Sequence, residues 1–327
     1  MIISRTPFRI SFFGGGTDFP EYFRHHGGAV LATAIEQYTY VTASRFPSRL
    51  FDYSIRLSYR SVELAKDVDN IEHRVYRACL KHCQIERDIE LHTMADLPSF
   101  TGMGTSSSFT VALLLALHTF QMNKPSPIDL AREAIYIERD ILKENVGFQD
   151  QVSSAVGGFN VLEFSGEDGI KVNPMLLKAE RLTELESQLY LVFTRIQRSA
   201  SEIEGRKLSR LPEMRDTFLA LRKMVDRGET MLNSDASLVP FGDLLHEAWV
   251  TKRSTAPCVS NPQIDALYER GCRAGARGGK LLGAGGGGFL LFFVPPENSA
   301  AFLAEFSDSE VIRPRLAAPG ATVIFSA

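Results

Sequence analysis

Apolar positions along the chain fall into short runs separated by polar and glycine-rich breaks, and their spacing predicts an irregular mixture of strands and helices. Residues 1–13 are rich in Ile, Phe and Ser and stop at Gly14-Gly15-Gly16; with Pro7 interrupting them, they predict two short strands around a turn. Residues 29–45 and 89–94 predict further strands, with a helix over 69–84 between them. A polar stretch from Asp96 to Ser108 then feeds the apolar run 109–120, which predicts a buried helix ended by Pro125 and Pro127. Leu130, Ala134, Ile137 and Ile141 recur at helical spacing, and 156–164 returns to strand.

The polar segment 165–171 holds two glycines and places a domain join near residues 165–185, dividing the chain into 1–175 and 176–327. Beyond it, 189–193 predicts a strand, 201–255 two long polar helices, 261–274 another helix, and 278–294 a strand, a glycine turn and a strand. No fixed-period repeat is visible. Without steady strand–helix–strand alternation, both parts read as α+β.

Composition narrows the partners. The 327 residues suit about two domains at roughly 150 residues each, and 44% hydrophobic with 23% charged residues matches an ordinary globular protein. Thirty-six basic against 39 acidic residues, a net charge of -3 with no long block of one sign, gives no electrostatic footprint for nucleic acid or an anionic membrane. The longest apolar run, 109–117, is about half a membrane span, and residues 1–16 carry no export signal. The expectation is therefore a cytoplasmic enzyme of small molecules, monomeric or homodimeric. Cys79, Cys83, Cys258 and Cys272 read as reduced thiols; a metal cluster of Cys79, His82 and Cys83 lacks a second ligand pair.

The 25 glycines are average in number but uneven in place: three at 14–16, two at 102 and 104, nine from 271 to 288. A serine- and glycine-rich loop before a helix, as at 98–108, is physically a phosphate cradle, because unpaired N–H groups and the positive helix end converge there. Helix capping by Thr105, Ser106, Ser107 and Ser108 is the alternative use of those hydroxyls. Familiar phosphate motifs fail elsewhere. Lys280 follows Gly279, but a Walker loop needs Gly at Ala274 and Ser or Thr at Leu281. Residues 283–288 fit G-x-G-x-x-G, yet a strand-like run follows instead of a helix. The protein-kinase set is absent, since Val75 follows His73-Arg74 and no D-F-G occurs.

Three segments in order carry a resemblance. Pro7 to Asp18 resembles the first motif of the GHMP small-molecule kinases, Pro98 to Ser108 their ATP loop with Met103 and Thr105 as replacements, and Lys280 to Gly288 their third motif. The Gly14-Gly15-Gly16-Thr17-Asp18-Phe19-Pro20 form, with Phe46 to Ser54 and Ser199 to Ile203, resembles the branch that phosphorylates the anomeric hydroxyl of a heptose 7-phosphate. The resemblance implies an N-terminal domain like the second domain of ribosomal protein S5 and a ferredoxin-like C-terminal domain, with the active site between them.

It also implies roles. ATP and Mg2+ would be the cofactors, with Gly102, Met103, Gly104, Thr105, Ser106 and Ser107 holding ATP, and Ser106 and Glu138 the metal, a hard cation that prefers such oxygen donors. Gly285 and Gly286 would support the ATP loop. Asp150 would take the acceptor proton, with Arg9 as a fixed positive charge beside it. Gly14, Gly15, Gly16, Thr17 and Asp18 would meet the sugar. A phosphorylated sugar needs cations at its far end, for which Arg195, Arg198, Lys252 and Arg253 are the candidates, with Arg198 preferred and Lys252 next. Other sugar-1-kinases (fucose, uronic acid or hexose) and a non-catalytic sugar and ATP sensor are the competing readings; a pure sensor has no need of the Asp150 base.

Overall fold

The computed structural model describes residues 1–98, 101–167, 169–197, 203–205 and 210–327. An eight-stranded sheet runs in the order β12-β1-β2-β5-β3-β4, and β6 with β7 also joins it through β2. Its strands are β1 (Ile2–Phe13), β2 (Gly28–Arg45), β3 (Ile55–Ser58), β4 (Val62–Ala65), β5 (Ile89–Ala95), β6 (Phe159–Ser165), β7 (Gly169–Pro174) and β12 (Thr322–Ser326). A second, antiparallel sheet has the order β11-β8-β10-β9, from β8 (Leu189–Phe193), β9 (Gly278–Leu281), β10 (Phe289–Phe293) and β11 (Val311–Ile312). The whole is α+β.

β1 and β2 are buried almost throughout because both sheet faces are covered. On one face lies the apolar helix α3 (Thr105–Phe120) with α2 (Arg74–His82), α4 (Pro127–Ile135) and α5 (Gln149–Val156). On the other, Phe8, Phe12 and Phe13 pack against Phe218, Leu221, Phe241 and Leu245 of α7 (Arg215–Asn233) and α8 (Val239–Arg253). That second core joins the two sheets and leaves a cleft at the end of β1.

Three expectations change. Residues 2–13 form one strand, with Pro7 at a register shift and past the last β12 pair, Arg5 with Thr322, where its missing N–H deprives no second neighbour. The helix expected over 69–84 begins at Arg74, because Glu63 Oε2 and Oε1 accept the N–H groups of Glu72 (2.7 Å) and His73 (3.1 Å) and hold them out of a helix. α3 begins at Thr105 instead of 109. The cysteines are unpaired, and no group of three metal-ligating side chains occurs among the described residues. No helix among them is long and apolar enough to cross a membrane.

Candidate active site

Arg9 on β1 and Asp150 in the first turn of α5 meet in a fork: Nε donates to Oδ1 at 2.7 Å and Nη2 to Oδ2 at 2.8 Å. Nη1 donates to the Gly102 carbonyl at 2.8 Å, so the same guanidinium holds both the carboxylate and the serine-rich loop. Arg9 is 2% exposed and Asp150 26%, which leaves the carboxylate as the partner open to ligand. A Cβ on Gly104 would sit 3.3 Å from Asp150 Oδ2; without it, the loop backbone comes up against the acid.

Gly104 is also the N-cap of α3, in the left-handed conformation (φ 74°), and no side chain caps the helix. The hydroxyls are bonded elsewhere: Ser107 donates to Glu138 Oε2 at 2.8 Å, Ser108 to the Thr6 carbonyl at 3.1 Å, and Thr110 to the Ser106 carbonyl at 3.2 Å. The open N–H groups of the first turn therefore face a cavity of about 800 Å³ lined by Gly102, Gly104, Thr105, Ser106 and Ser107, an anion cradle. The third motif braces it backbone to backbone. Phe289 N–H donates to the Thr101 carbonyl at 3.1 Å, and a Cβ on Gly102 would lie 2.6 Å from the Leu282 oxygen.

Glu138 enters from a π-helical turn, Tyr136–Ile141, that follows α4. It is 3% exposed. Its Oε2 accepts from Ser107 and from Gln151 Nε2 at 2.6 Å, while Oε1 is buried without a partner among the described residues. Burial pushes its pKa up to about 7 despite those donors. A buried carboxylate oxygen with no partner, at the foot of a phosphate cradle that Ser106 also lines, fits a magnesium ion, whose remaining ligands would be phosphate and water.

Asp18 follows the first glycine turn. Its Oδ1 accepts from Gly16 N–H at 2.9 Å and Gln149 Nε2 at 3.1 Å, and its Oδ2 from Gln149 N–H at 3.1 Å. Burial, and then the charge of Asp150, raise its pKa to about 6.

Arg9, Gly14, Gly15, Gly16, Asp18, Gly102, Gly104, Thr105, Ser106, Ser107, Glu138, Asp150, Lys252 and Gly285 all line this one cavity. Two expected ligand contacts, Thr17 and Met103, do not reach its wall, and neither does Gly286, expected to support the ATP loop. Thr17 is fully buried and pins the glycine turn to the Gly14 and Ala29 carbonyls, Met103 lies in the second core, and Gly286 donates to the Val259 carbonyl at 2.9 Å. These are scaffolding positions. Arg198 lies outside the described residues. Lys252 donates to the Leu281 and Gly283 carbonyls; Arg195 donates to the Asp308 carbonyl and Arg253 pairs with Asp265, both away from the cavity. The sequence reading missed Ser11, Gln149 and a ring-lined region of Tyr59, His73 and Phe109. Their separation along the chain left no local signal.

Residues 70–158 match the GHMP kinase N-terminal domain and 234–310 the GHMP kinase C-terminal domain. The chain is 31% identical over 296 residues to a D-glycero-alpha-D-manno-heptose 7-phosphate kinase of Campylobacter jejuni, spanning 87% of this chain and 86% of that one. It is 29% identical over 205 residues to a bifunctional fucokinase/GDP-fucose pyrophosphorylase of Arabidopsis thaliana, 60% of this chain and 19% of that one. The crystal structure of a D-glycero-D-manno-heptose 1-phosphate kinase from Bacteroides thetaiotaomicron shares the fold over 100% of both chains, with a TM-score of 0.73 at 27% identity. Likeness of this extent, with both domains matched in order, makes the chain a member of the GHMP kinases, enzymes that move a phosphoryl group from ATP to an alcohol.

Proposed function

We propose that this sugar kinase phosphorylates the anomeric hydroxyl of D-glycero-α-D-manno-heptose 7-phosphate, giving the 1,7-bisphosphate for nucleotide-activated heptose and surface polysaccharide. The observation that carries the reading is the Arg9–Asp150 fork standing against the uncapped start of α3 in one cavity; the heptose comes from the relatives' substrates.

In this reading the anomeric oxygen attacks the γ-phosphorus while an Asp150 oxygen accepts its proton, and the bond to the β,γ-bridging oxygen breaks with its electron pair leaving on ADP. An anomeric hydroxyl is more acidic than an ordinary alcohol, so modest base assistance suffices. Arg9 fixes the carboxylate and offsets its charge. The α3 N–H groups hold the transferring phosphates. Glu138 and Ser106 would hold Mg2+, which supplies charge neutralisation on the β- and γ-phosphate oxygens. The nucleotide base stacks in the region of Tyr59, His73 and Phe109, where burial pushes the His73 pKa below its usual value and keeps the ring neutral. Asp18 accepts from sugar hydroxyls. Arg198 and Lys252 meet the 7-phosphate. The working units are residues 1–175 and 176–327, the second returning β12 to the first sheet.

An ADP-release screen with magnesium over free and phosphorylated hexoses and heptoses tests this. The heptose 7-phosphate should give the highest kcat/KM, and Arg198→Ala should raise its KM at least tenfold while sparing unphosphorylated sugars. The likeness to a fucokinase favours L-fucose as the second reading; a higher kcat/KM for fucose, indifferent to Arg198→Ala, would replace the first.

A further inference from the structure

The three glycines of the first motif are not equivalent. A Cβ on Gly14 would lie 1.9 Å from the Ala29 carbonyl oxygen, and one on Gly16 2.5 Å from the Phe218 ring, both at positive φ (84° and 99°). The fold itself demands these two. Gly15 has no positive φ, and a Cβ there would meet two atoms within 4 Å, Ser11 Oγ at 3.5 Å and Gln149 Nε2 at 3.7 Å, both ordinary contacts. Backbone geometry does not require glycine at 15, so the missing side chain leaves a notch in the cavity wall beside Asp18.

The two side chains that bound the notch carry unused hydrogen-bonding capacity. Ser11 is 5% exposed, and its Oγ is buried with no partner among the described residues; Gln149 Oε1 is in the same state. Both residues are fixed from behind. Lys280 Nζ donates to the Ser11 and Phe12 carbonyls at 2.9 and 2.8 Å, and Gln149 Nε2 donates to Asp18 Oδ1, which turns the amide oxygen away from that carboxylate. An unpaired hydroxyl and an amide nitrogen with one N–H left over, beside an empty, methyl-sized space, call for a guest that both donates and accepts.

We propose that the Gly15 notch is a subsite for one acceptor hydroxyl other than the one phosphorylated, which accepts from the second N–H of Gln149 Nε2 and pairs with Ser11 Oγ. This rests on the sugar-kinase reading and makes Ser11 and Gln149 specificity-determining residues. A site built to pair a hydroxyl rejects the analogue lacking it, because its own groups are then left unpaired.

The test compares wild type, Gly15→Ala, Gln149→Met and Ser11→Ala on D-glycero-D-manno-heptose 7-phosphate and its monodeoxy analogues. Gly15→Ala fills the notch and should fold with an unchanged melting temperature and ATP KM, while its acceptor KM rises tenfold or more. One monodeoxy analogue should be a poor substrate for wild type, yet be turned over equally by wild type, Gln149→Met and Ser11→Ala. An unchanged acceptor KM in Gly15→Ala overturns the subsite, as does an equal penalty from Gln149→Met and Ser11→Ala on every analogue. If wild type prefers another sugar and Gly15→Ala raises that sugar's KM instead, the subsite stands and only the heptose assignment falls.

Discussion

Asp150 is the partner of a buried guanidinium and, in the proposed reaction, also the proton acceptor. Asp150→Asn removes the base and should lower kcat by about 10²–10⁴-fold, with ATP binding still measurable by calorimetry; an unchanged kcat would exclude the base role. The same change costs stability, though less than the ~3–5 kcal/mol of a fully buried pair, because Asp150 is a quarter exposed. Asp18 sets a pH dependence. Its folded pKa of about 6 lies above the 3.8 of an ordinary aspartate, so its contribution to stability is greatest below pH 3.8 and is lost as pH rises through about 6. Function runs the other way. Protonation removes the anionic acceptor, so the acceptor KM should climb as pH falls below 6. A carboxyl NMR titration of Asp18 with a midpoint near 4 would contradict this. Gly104 was legible because it sits in a short ordered motif, whereas Asp150, outside the three motifs, was reached only through the family resemblance. Ser11 and Gln149 were not legible, since an orphaned hydroxyl can be recognised only once its neighbours are known.

Among the elements, α3 does the most, as a core helix along its length and, in the proposed reaction, the phosphate site at its uncapped start. Its early start was hidden because serines and threonines look like loop or cap; here Glu138, Thr6 and Ser106 accept their protons, so a polar first turn can be buried. The late start of α2 was hidden for the converse reason, a carboxylate from β4 capturing its first N–H groups. The bracing of the ATP loop by the β9–β10 hairpin gives a test at this scale. Gly102→Ala drives a Cβ into the Leu282 carbonyl at a φ of 75°, so the loop must lift from the hairpin. The ATP KM should rise about tenfold or more and the acceptor KM change little; equal effects on both would mean that the hairpin steadies the whole cleft.

Across the molecule, the second core and Lys280 tie the two sheets together, and the C-terminal strand ties the chain ends. β12 pairs with β1 from Ile2 with Ser326 to Arg5 with Thr322. The hydrophobic pattern predicted β1, β2, β5, β6, β8, β9 and β10 but not β3, β4, β7, β11 or β12, and it could not show that residues 322–326 return to the first sheet, because pairing partners so far apart leave no periodic trace. Removing residues 321–327 exposes the β1 edge, and the melting temperature should fall by about 5 °C or more, at roughly 2–4 °C per kcal/mol, with faster aggregation; an unchanged melting curve would mean the strand adds nothing. The central claim concerns which oxygen receives the phosphate. Phosphorus NMR of the product made from D-glycero-D-manno-heptose 7-phosphate, ATP and magnesium answers it. The account predicts one new phosphate signal, split by the anomeric proton and growing in step with ADP. A signal without that coupling, or ADP release with no new sugar phosphate, would contradict it.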